Sequence, residues 1–400
     1  MAAEVMEQWV KNGRYAVVCQ RRIKPIENTR LKGKPLSSQK GQAEAFFLKD
    51  ERGHWLVLKK FHSGRSPDRA YLSKVGSLLP RDPGFTCGTD RHILSKADLV
   101  KTKGYHYNAE LARWLDGTVM MPKASGYDWT TVADELRDGT THLDTTQRFI
   151  LCRNLTRLIE LLEAAHCCHR DLSCGNVFIE TVTGAVSLID FGSFYHPSLP
   201  MPKVTTCGTE GYTAPYAWDN GTLNARRTWC ESVDRYPLSL LIAEYLLVTR
   251  GTRITSEGGI FEQDELRKRS GRGINSILSE LKQQYPKAAQ LLQRTILSHN
   301  PKDCPSPREW NHFFDGAGVV STLVILVDMP EPSAARISDI LSRCRPAAPI
   351  WPAPPLSEIP LKIPQIPKGP GIAPRAVSLP PDPWEQKTSG RQTFFRRPSS

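Results

Sequence analysis

Proline placement sets the limit on what this chain can fold into. Roughly half of its 31 prolines lie after Met329, in stretches such as PAAPIWPAPPLSEIPLKIPQIPKGPGIAP. Each proline removes a backbone donor and fixes φ, so neither helix nor continuous sheet survives that density. Residues 345–400 are therefore predicted to be an extended, polyproline-like tail with a basic end at Arg396–Arg397. The folded part must lie upstream, in residues 35–315, which have globular composition and no internal repeat. Residues 1–34 read as an N-terminal extension, and 316–344 as a short apolar strand or helix.

Composition narrows the class further. With 400 residues the chain can bury a large core. No apolar run reaches the ~18 residues that a membrane span requires, the best being Val319 to Val327. Glu4 and Glu7 stand where a secretory leader would be apolar, so a cytosolic protein is expected. Ten cysteines without a C-x-x-C pair or a zinc-like spacing read as reduced thiols. The excess of 53 Lys+Arg over 41 Asp+Glu, 53 − 41 = +12, raises nucleic acid as a partner. Basic and aromatic residues interleave too sparsely to support it.

Within 35–315, AFFLKDERGHWLVLKKF (Ala45 to Phe61) holds two apolar, aromatic-rich runs around a turn at Gly53, which predicts a hairpin. Thr145 to His166 places Phe149, Leu151, Leu155, Leu158, Ile159, Leu162 and Ala165 at helical spacing. Val177–Ile179 and Val186–Ile189 flank a turn at Thr183–Gly184, a second hairpin. Ser232 to Leu247 and Tyr285 to Leu297 again read as helix. A sheet-rich first part thus precedes a helix-rich second part.

The second hairpin is bracketed by HRDLSCGNVFI (His169 to Ile179) and LIDFGSF (Leu188 to Phe194). These motifs, in this order and joined by strand–turn–strand, resemble those of eukaryotic-like serine/threonine protein kinases, including bacterial ones. The resemblance implies an α+β, bilobal protein-kinase-like fold, with a small antiparallel β lobe over residues 35–121 and a larger, mainly helical lobe over 122–315. It also implies ATP and Mg2+ as cofactors and proteins as substrates. Asp171 would orient the substrate hydroxyl and accept its proton. Asn176 and Asp190, from two sides of the cleft, would be hard oxygen ligands for Mg2+ bridging the phosphates.

CGTEGYTAPY (Cys207 to Tyr216) resembles the end of an activation segment of the serine/threonine type, which would set Thr209 beside Asp171. Arg170 would pair a phosphorylated segment, with Thr205 and Thr206 in reach. Asp234, at the head of the central helix, would accept backbone hydrogen bonds from the catalytic loop. HWLVLKKF resembles the lysine strand. Alternation puts Val57 and Lys59 on the cleft face, assigning Lys59 to the α- and β-phosphates and turning Lys60 away. The hinge fits GTVMMPKASGYDW, with adenine over the linker after Met121.

Several family features are missing. In the phosphate-covering loop, aligned on Ser38 to Phe47, only Gly41 is a glycine; Ser38, Lys40 and Ala43 occupy the other positions. The helix after the lysine strand, Pro67 to Leu79, carries no acid near its middle. Asp68 or Asp82 must swing in to pair Lys59, or Lys59 works unpaired. Tyr216 stands at the family's A-P-E glutamate and Cys304 at its arginine partner, so that ion pair is lost on both sides and the site is expected to repack. Ser173 replaces a lysine after H-R-D-L, and Arg170, Lys203 or a second Mg2+ would supply that charge.

Two rival readings follow from these losses. One is a pseudokinase scaffold that binds partners; the other is a small-molecule or lipid kinase, disfavoured by the Cys207–Tyr216 segment. Pro349, Pro352 and Pro355 have the PxxP spacing of a docking ligand, so the tail is a candidate site for a docking partner. FFRRPSS at the terminus makes Ser399 a candidate autophosphorylation site.

Overall fold

Strand alternation and tight turns build the first third of the chain. The computed structural model describes residues 2–316 except 41, 204, 207, 256 and 257. Gly41 and Cys207, the 316–344 extension beyond Gly316 and the 345–400 tail therefore lie outside the described residues. Helix α1 (Ala2–Asn12) precedes strands β1 (Ala16–Val18), β2 (Arg21–Pro25), β3 (Ser37–Lys40), β4 (Ala43–Asp50) and β5 (Trp55–Phe61). Helices α2 (Arg69–Leu78) and α3 (Thr86–Thr89) follow, then β6 (His92–Ile93), β7 (Leu99–Val100), α4 (Ala109–Leu115) and β8 (Val119–Pro122). The strands form one eight-stranded antiparallel sheet in the order β6-β8-β5-β4-β2-β1-β7, with β3 on β4. The expected hairpin is β4 and β5, paired from Ala43↔Phe61 to Lys49↔Trp55.

Residues 2–34, read as an extension, are built into this lobe. Val5, Met6 and Trp9 of α1 are buried with Phe46, Leu48, Leu56 and Leu58 of the sheet and with Leu111 and Leu115 of α4. One sheet face is thereby roofed by two helices, leaving the other face for the cleft.

The second part is helical. Strand β9 (Tyr127–Asp128) leads into α5 (Trp129–Asp138) and α6 (Thr145–Ala164), where Asp144 closes a capping box with Gln147. Strands β10 (Val177–Ile179) and β11 (Val186–Leu188) form the second hairpin, in register Val177↔Leu188. A small ribbon of β12 (Trp218–Asp219) and β13 (Thr222–Leu223) precedes α7 (Arg235–Leu247), α8 (Gln263–Lys268), α9 (Arg272–Gln284), α10 (Pro286–Ile296) and α11 (Pro307–Gly316). Helix α7 is mostly apolar and buried from Tyr236 to Leu247, with Ser239 and Glu244 its polar exceptions, as suits the centre of a helical lobe. Among the described residues no helix is long and apolar enough to cross a membrane, and every cysteine is free.

Tyr216 and Cys304 are both buried, and the Tyr216 ring packs edge-on to Tyr236 at 6.0 Å. Two neutral side chains fill the place of an ion pair. No buried charge is left there, as the sequence reading expects.

Candidate active site

Pleating decides which of two adjacent lysines enters the cleft. Leu56 and Leu58 of β5 point into the core under α1 and α4, so Lys59 faces the opposite side. Its Nζ lies 2.6 Å from Asp190 Oδ1. Lys60 points the other way and donates to the carbonyls of Trp114 (2.5 Å) and Asp116 (2.9 Å). The assignment of Lys59 rather than Lys60 to the cleft agrees with the alternation.

Asp190 arrives at the end of β11 in the left-handed region, φ 63 and ψ 61. Arg170, in the loop between α6 and β10, is also left-handed at φ 67. Such backbone costs ~1–3 kcal/mol per residue and persists only where the surroundings enforce it. Here Asp234 does so: its carboxylate accepts from His169 N at 2.6 Å and Arg170 N at 2.8 Å. His169 in turn bonds the Ile189 carbonyl at 2.7 Å, tying the loop to the hairpin's far strand. Asn176 Nδ2 donates to the Asp171 carbonyl at 2.7 Å, closing the loop on itself. Phe191 fills the space behind it, edge-on to His169 and Phe85. Gly88 lies against that ring: a Cβ there would stand 2.8 Å from Phe191 and 2.3 Å from Leu79.

These loops bring Asp171, Asp190, Asn176 and Lys59 to one place, together with Thr209. Thr209 Oγ1 donates to Asp171 Oδ1 at 2.8 Å. Burial pushes the Asp171 carboxyl up to about 6, with Asp190 adding to the rise and Thr209 opposing it. Burial acts on Asp190 too, but the Lys59 ammonium outweighs it and holds this carboxyl below the usual range. Two neighbouring carboxylates are thus driven apart, one kept ionised and the other able to take a proton near neutrality.

The other sequence-derived candidates fall differently. Met121 on β8 pairs with Val57, at the join between the lobes. Gly126, five residues on, has φ +73, and a Cβ there would stand 2.0 Å from the Ile179 carbonyl, so the linker must pass β10 without a side chain. Arg170 turns away from the cleft. Its guanidinium donates to Thr228 O (2.8 Å), Ser193 O (3.0 Å) and Thr205 Oγ1 (2.8 Å), and stacks over Trp229 at 4.6 Å. It therefore does not supply the charge that Ser173 lacks. The lysine's partner is also not one of the expected acids. Asp68 caps α2 by accepting from Ala70 N at 2.6 Å, and Asp82 is held by Arg157 at 2.6 and 3.1 Å.

Two tethers of α2 were not visible in the sequence. The Tyr71 hydroxyl donates to the Phe194 carbonyl, and Arg91 on the loop before β6 donates to the Leu72 carbonyl. A tyrosine on the apolar face of a helix signals only burial, and an arginine before a short strand signals only exposure.

With this geometry in hand the comparisons decide the class. A family model described as the protein kinase domain matches residues 122–313. The protein is protein-kinase-like. A search of curated proteins finds no match. The family match begins at the hinge strand; the kinase-like chain's first lobe lies before it, and the curled antiparallel sheet there completes a bilobal α+β kinase fold. A kinase domain implies ATP as phosphate donor and, usually, a divalent metal.

The donor set suits a hard, phosphate-bridging cation. No group of three or more His, Cys, Asp or Glu that could cage a metal occurs among the described residues. Mg2+ characteristically binds through one or two protein oxygens with substrate phosphates and water completing its shell. The ionised Asp190 carboxylate and the Asn176 side-chain oxygen, whose amide nitrogen is already committed to Asp171, match that requirement.

Proposed function

We propose that the protein is an ATP-dependent serine/threonine protein kinase that transfers the γ-phosphate to hydroxyls of protein substrates. The observation that carries this reading is the Thr209–Asp171 hydrogen bond of 2.8 Å beside the Lys59–Asp190 pair of 2.6 Å. A catalytic carboxylate already binding one aliphatic hydroxyl has the polarity to orient a second, and Thr209 forms part of the wall against which an acceptor serine or threonine would lie.

In this reading Asp171 aligns the acceptor hydroxyl with the γ-phosphorus and takes its proton. The new P–O bond forms as the β–γ bridging P–O bond breaks, and ADP carries off that bonding pair. Lys59 meets the α- and β-phosphates. A Mg2+ ion held by Asn176 and Asp190 would neutralise phosphate charge. The backbone around Met121 reads the adenine edge. Cytosolic placement and protein partners follow from the same reading.

Radiolabelled phosphate transfer from Mg-ATP tests it, with the wild type compared with Asp171→Asn and Asp190→Ala. Transfer to serine or threonine in protein, lost in both variants, is the expected outcome. Nucleotide binding without transfer in the wild type would instead establish a pseudokinase scaffold, in line with the missing helix glutamate. Labelling of sugars or lipids alone would place the chain among small-molecule kinases.

A further inference from the structure

Cross-strand register gathers onto one face of the small-lobe sheet residues that lie far apart in the chain. Ile23, Leu48 and Leu56 turn toward the core under α1 and α4, so their neighbours Lys24, Lys49 and Trp55 take the opposite face. Lys24 stands directly across from Lys49, and Lys49 from Trp55. Cations over rings extend this row at both ends. Lys24 Nζ lies 4.9 Å from the centre of the Tyr15 ring, and Lys123 Nζ lies 5.8 Å from that of Trp55. Arg22, two residues before Lys24 and on the same face, lies 5.3 Å over the Tyr105 ring.

This face is open to solvent and carries little negative charge. Arg22 and Lys49 are exposed, and Tyr15, Lys24 and Trp55 are half-buried. Residues 8–26 hold five Lys or Arg and no acid, and residues 99–109, which include the β7 edge strand, add Lys101 and Lys103, again with no acid. The two acids at the end of β4 are engaged: Glu51 pairs with Arg22 at 2.9 Å, and Asp50 accepts from Arg52 N and His54 N within the β4–β5 turn. Among the described residues Lys24 and Lys49 have no carboxylate partner. Two like charges directly opposite each other destabilise a strand pair, and a polyanion laid across them removes that penalty.

We propose that this face binds single-stranded nucleic acid. Phosphates meet Arg22, Lys24 and Lys49, and bases stack on Trp55 and Tyr15. A base arriving at either ring takes the place of the ammonium, which turns to a phosphate. Charge alone suits any polyanion, but rings set among the cations are what a base requires and an acidic peptide does not. Shape disfavours a duplex: from Tyr15 to Trp55 the row crosses three inter-strand spacings, about 14 Å, wider than the ~12 Å major groove. The interleaving that is sparse along the sequence is supplied here by four strands side by side.

The test is a fluorescence-anisotropy titration of the full chain with a labelled twelve-nucleotide oligouridine and with its oligothymidine counterpart. Single strands should bind, binding of one alone naming the sugar, and a duplex of equal length should bind at least tenfold more weakly. Lys24→Glu/Lys49→Glu should abolish binding, and Trp55→Leu should weaken it about tenfold. Lys282→Glu/Lys287→Glu, the same charge change on α9 and α10, should leave it unchanged. Lys49→Gln, a milder surface change, should flatten the slope of log affinity against log salt by about 0.7, one phosphate contact. Saturating Mg-ATP should fail to displace the strand, which separates this face from the cleft at Lys59. No binding of either single strand, equal binding of the duplex, equal loss in Lys282→Glu/Lys287→Glu, full binding by Trp55→Leu, an unchanged salt slope in Lys49→Gln, or displacement by Mg-ATP would each overturn the assignment. So would displacement by polyglutamate at matched charge, which would make the face a docking surface for an acidic protein.

Discussion

Lys59 Nζ sits 2.6 Å from Asp190 Oδ1, so the lysine that the kinase resemblance would pair with a helix glutamate is held by the Asp190 carboxylate. Phosphates or a metal at Asp190 must compete for that contact. Lys59→Met is therefore expected to lower phosphate transfer by about 10²–10³-fold, the loss typical of one electrostatic donor. Nucleotide titration with the Asp190→Asn variant should show Lys59 released to the phosphates, read as tighter metal-free ATP binding.

In the proposed mechanism Asp171 sets the acid limb of the pH profile. Its carboxyl is pushed up to about 6, and it must be ionised to accept a proton. Transfer should rise with pH through about 6 and fall about tenfold per unit below it. Thr209→Val removes the hydrogen bond that lowers this carboxyl, so the limb should move to higher pH. A pH–rate series on both proteins reads the shift.

Asp234 holds two backbone donors of a strained loop. Asp234→Ala orphans the His169 and Arg170 amides, each costing ~1–3 kcal/mol, so stability should fall by about 2–6 kcal/mol. Urea unfolding followed by circular dichroism measures it. Asp234→Asn, which keeps an acceptor, should recover part of the loss.

Tyr71 fastens α2 to the residue chain beyond Phe191. Tyr71→Phe keeps the buried ring but leaves the Phe194 carbonyl unpaired, an expected cost of about 1–3 kcal/mol. If the tether positions the helix, kcat should drop about tenfold while the affinity for ATP stays within a factor of ~2. A change in stability alone would mark a purely structural bond.

Glu244 makes stability depend on pH. Buried in α7, it accepts from Trp129 Nε1 at 2.8 Å and Tyr212 OH at 2.8 Å, and burial raises its carboxyl from 4.5 to about 7. A folded-state value above the unfolded one gives stability that is complete below the unfolded value and is lost as pH rises through the folded value. The window is thus about 4.5 to about 7, and the loss across it is on the order of 1–3 kcal/mol. Glu244→Gln should flatten that decline, read by urea midpoints at about pH 5 and about pH 8.

The sequence by itself determined the elements and the chemistry on their ends. Alternation in β4 and β5 separated Lys59 from Lys60, and a helical stripe built α6; both follow from local rules, because pleat and helical period act over a few residues. Asp171, Asn176 and Asp190 were marked instead by the resemblance of two short motifs to those of protein kinases. Tertiary structure alone decided the partners. Lys59 meets Asp190 across more than a hundred residues, Asp82 goes to Arg157 instead, Arg170 turns to Thr205, and Tyr71 reaches Phe194. A charge announces in sequence that it needs a partner, but which one it finds depends on distances that only packing sets.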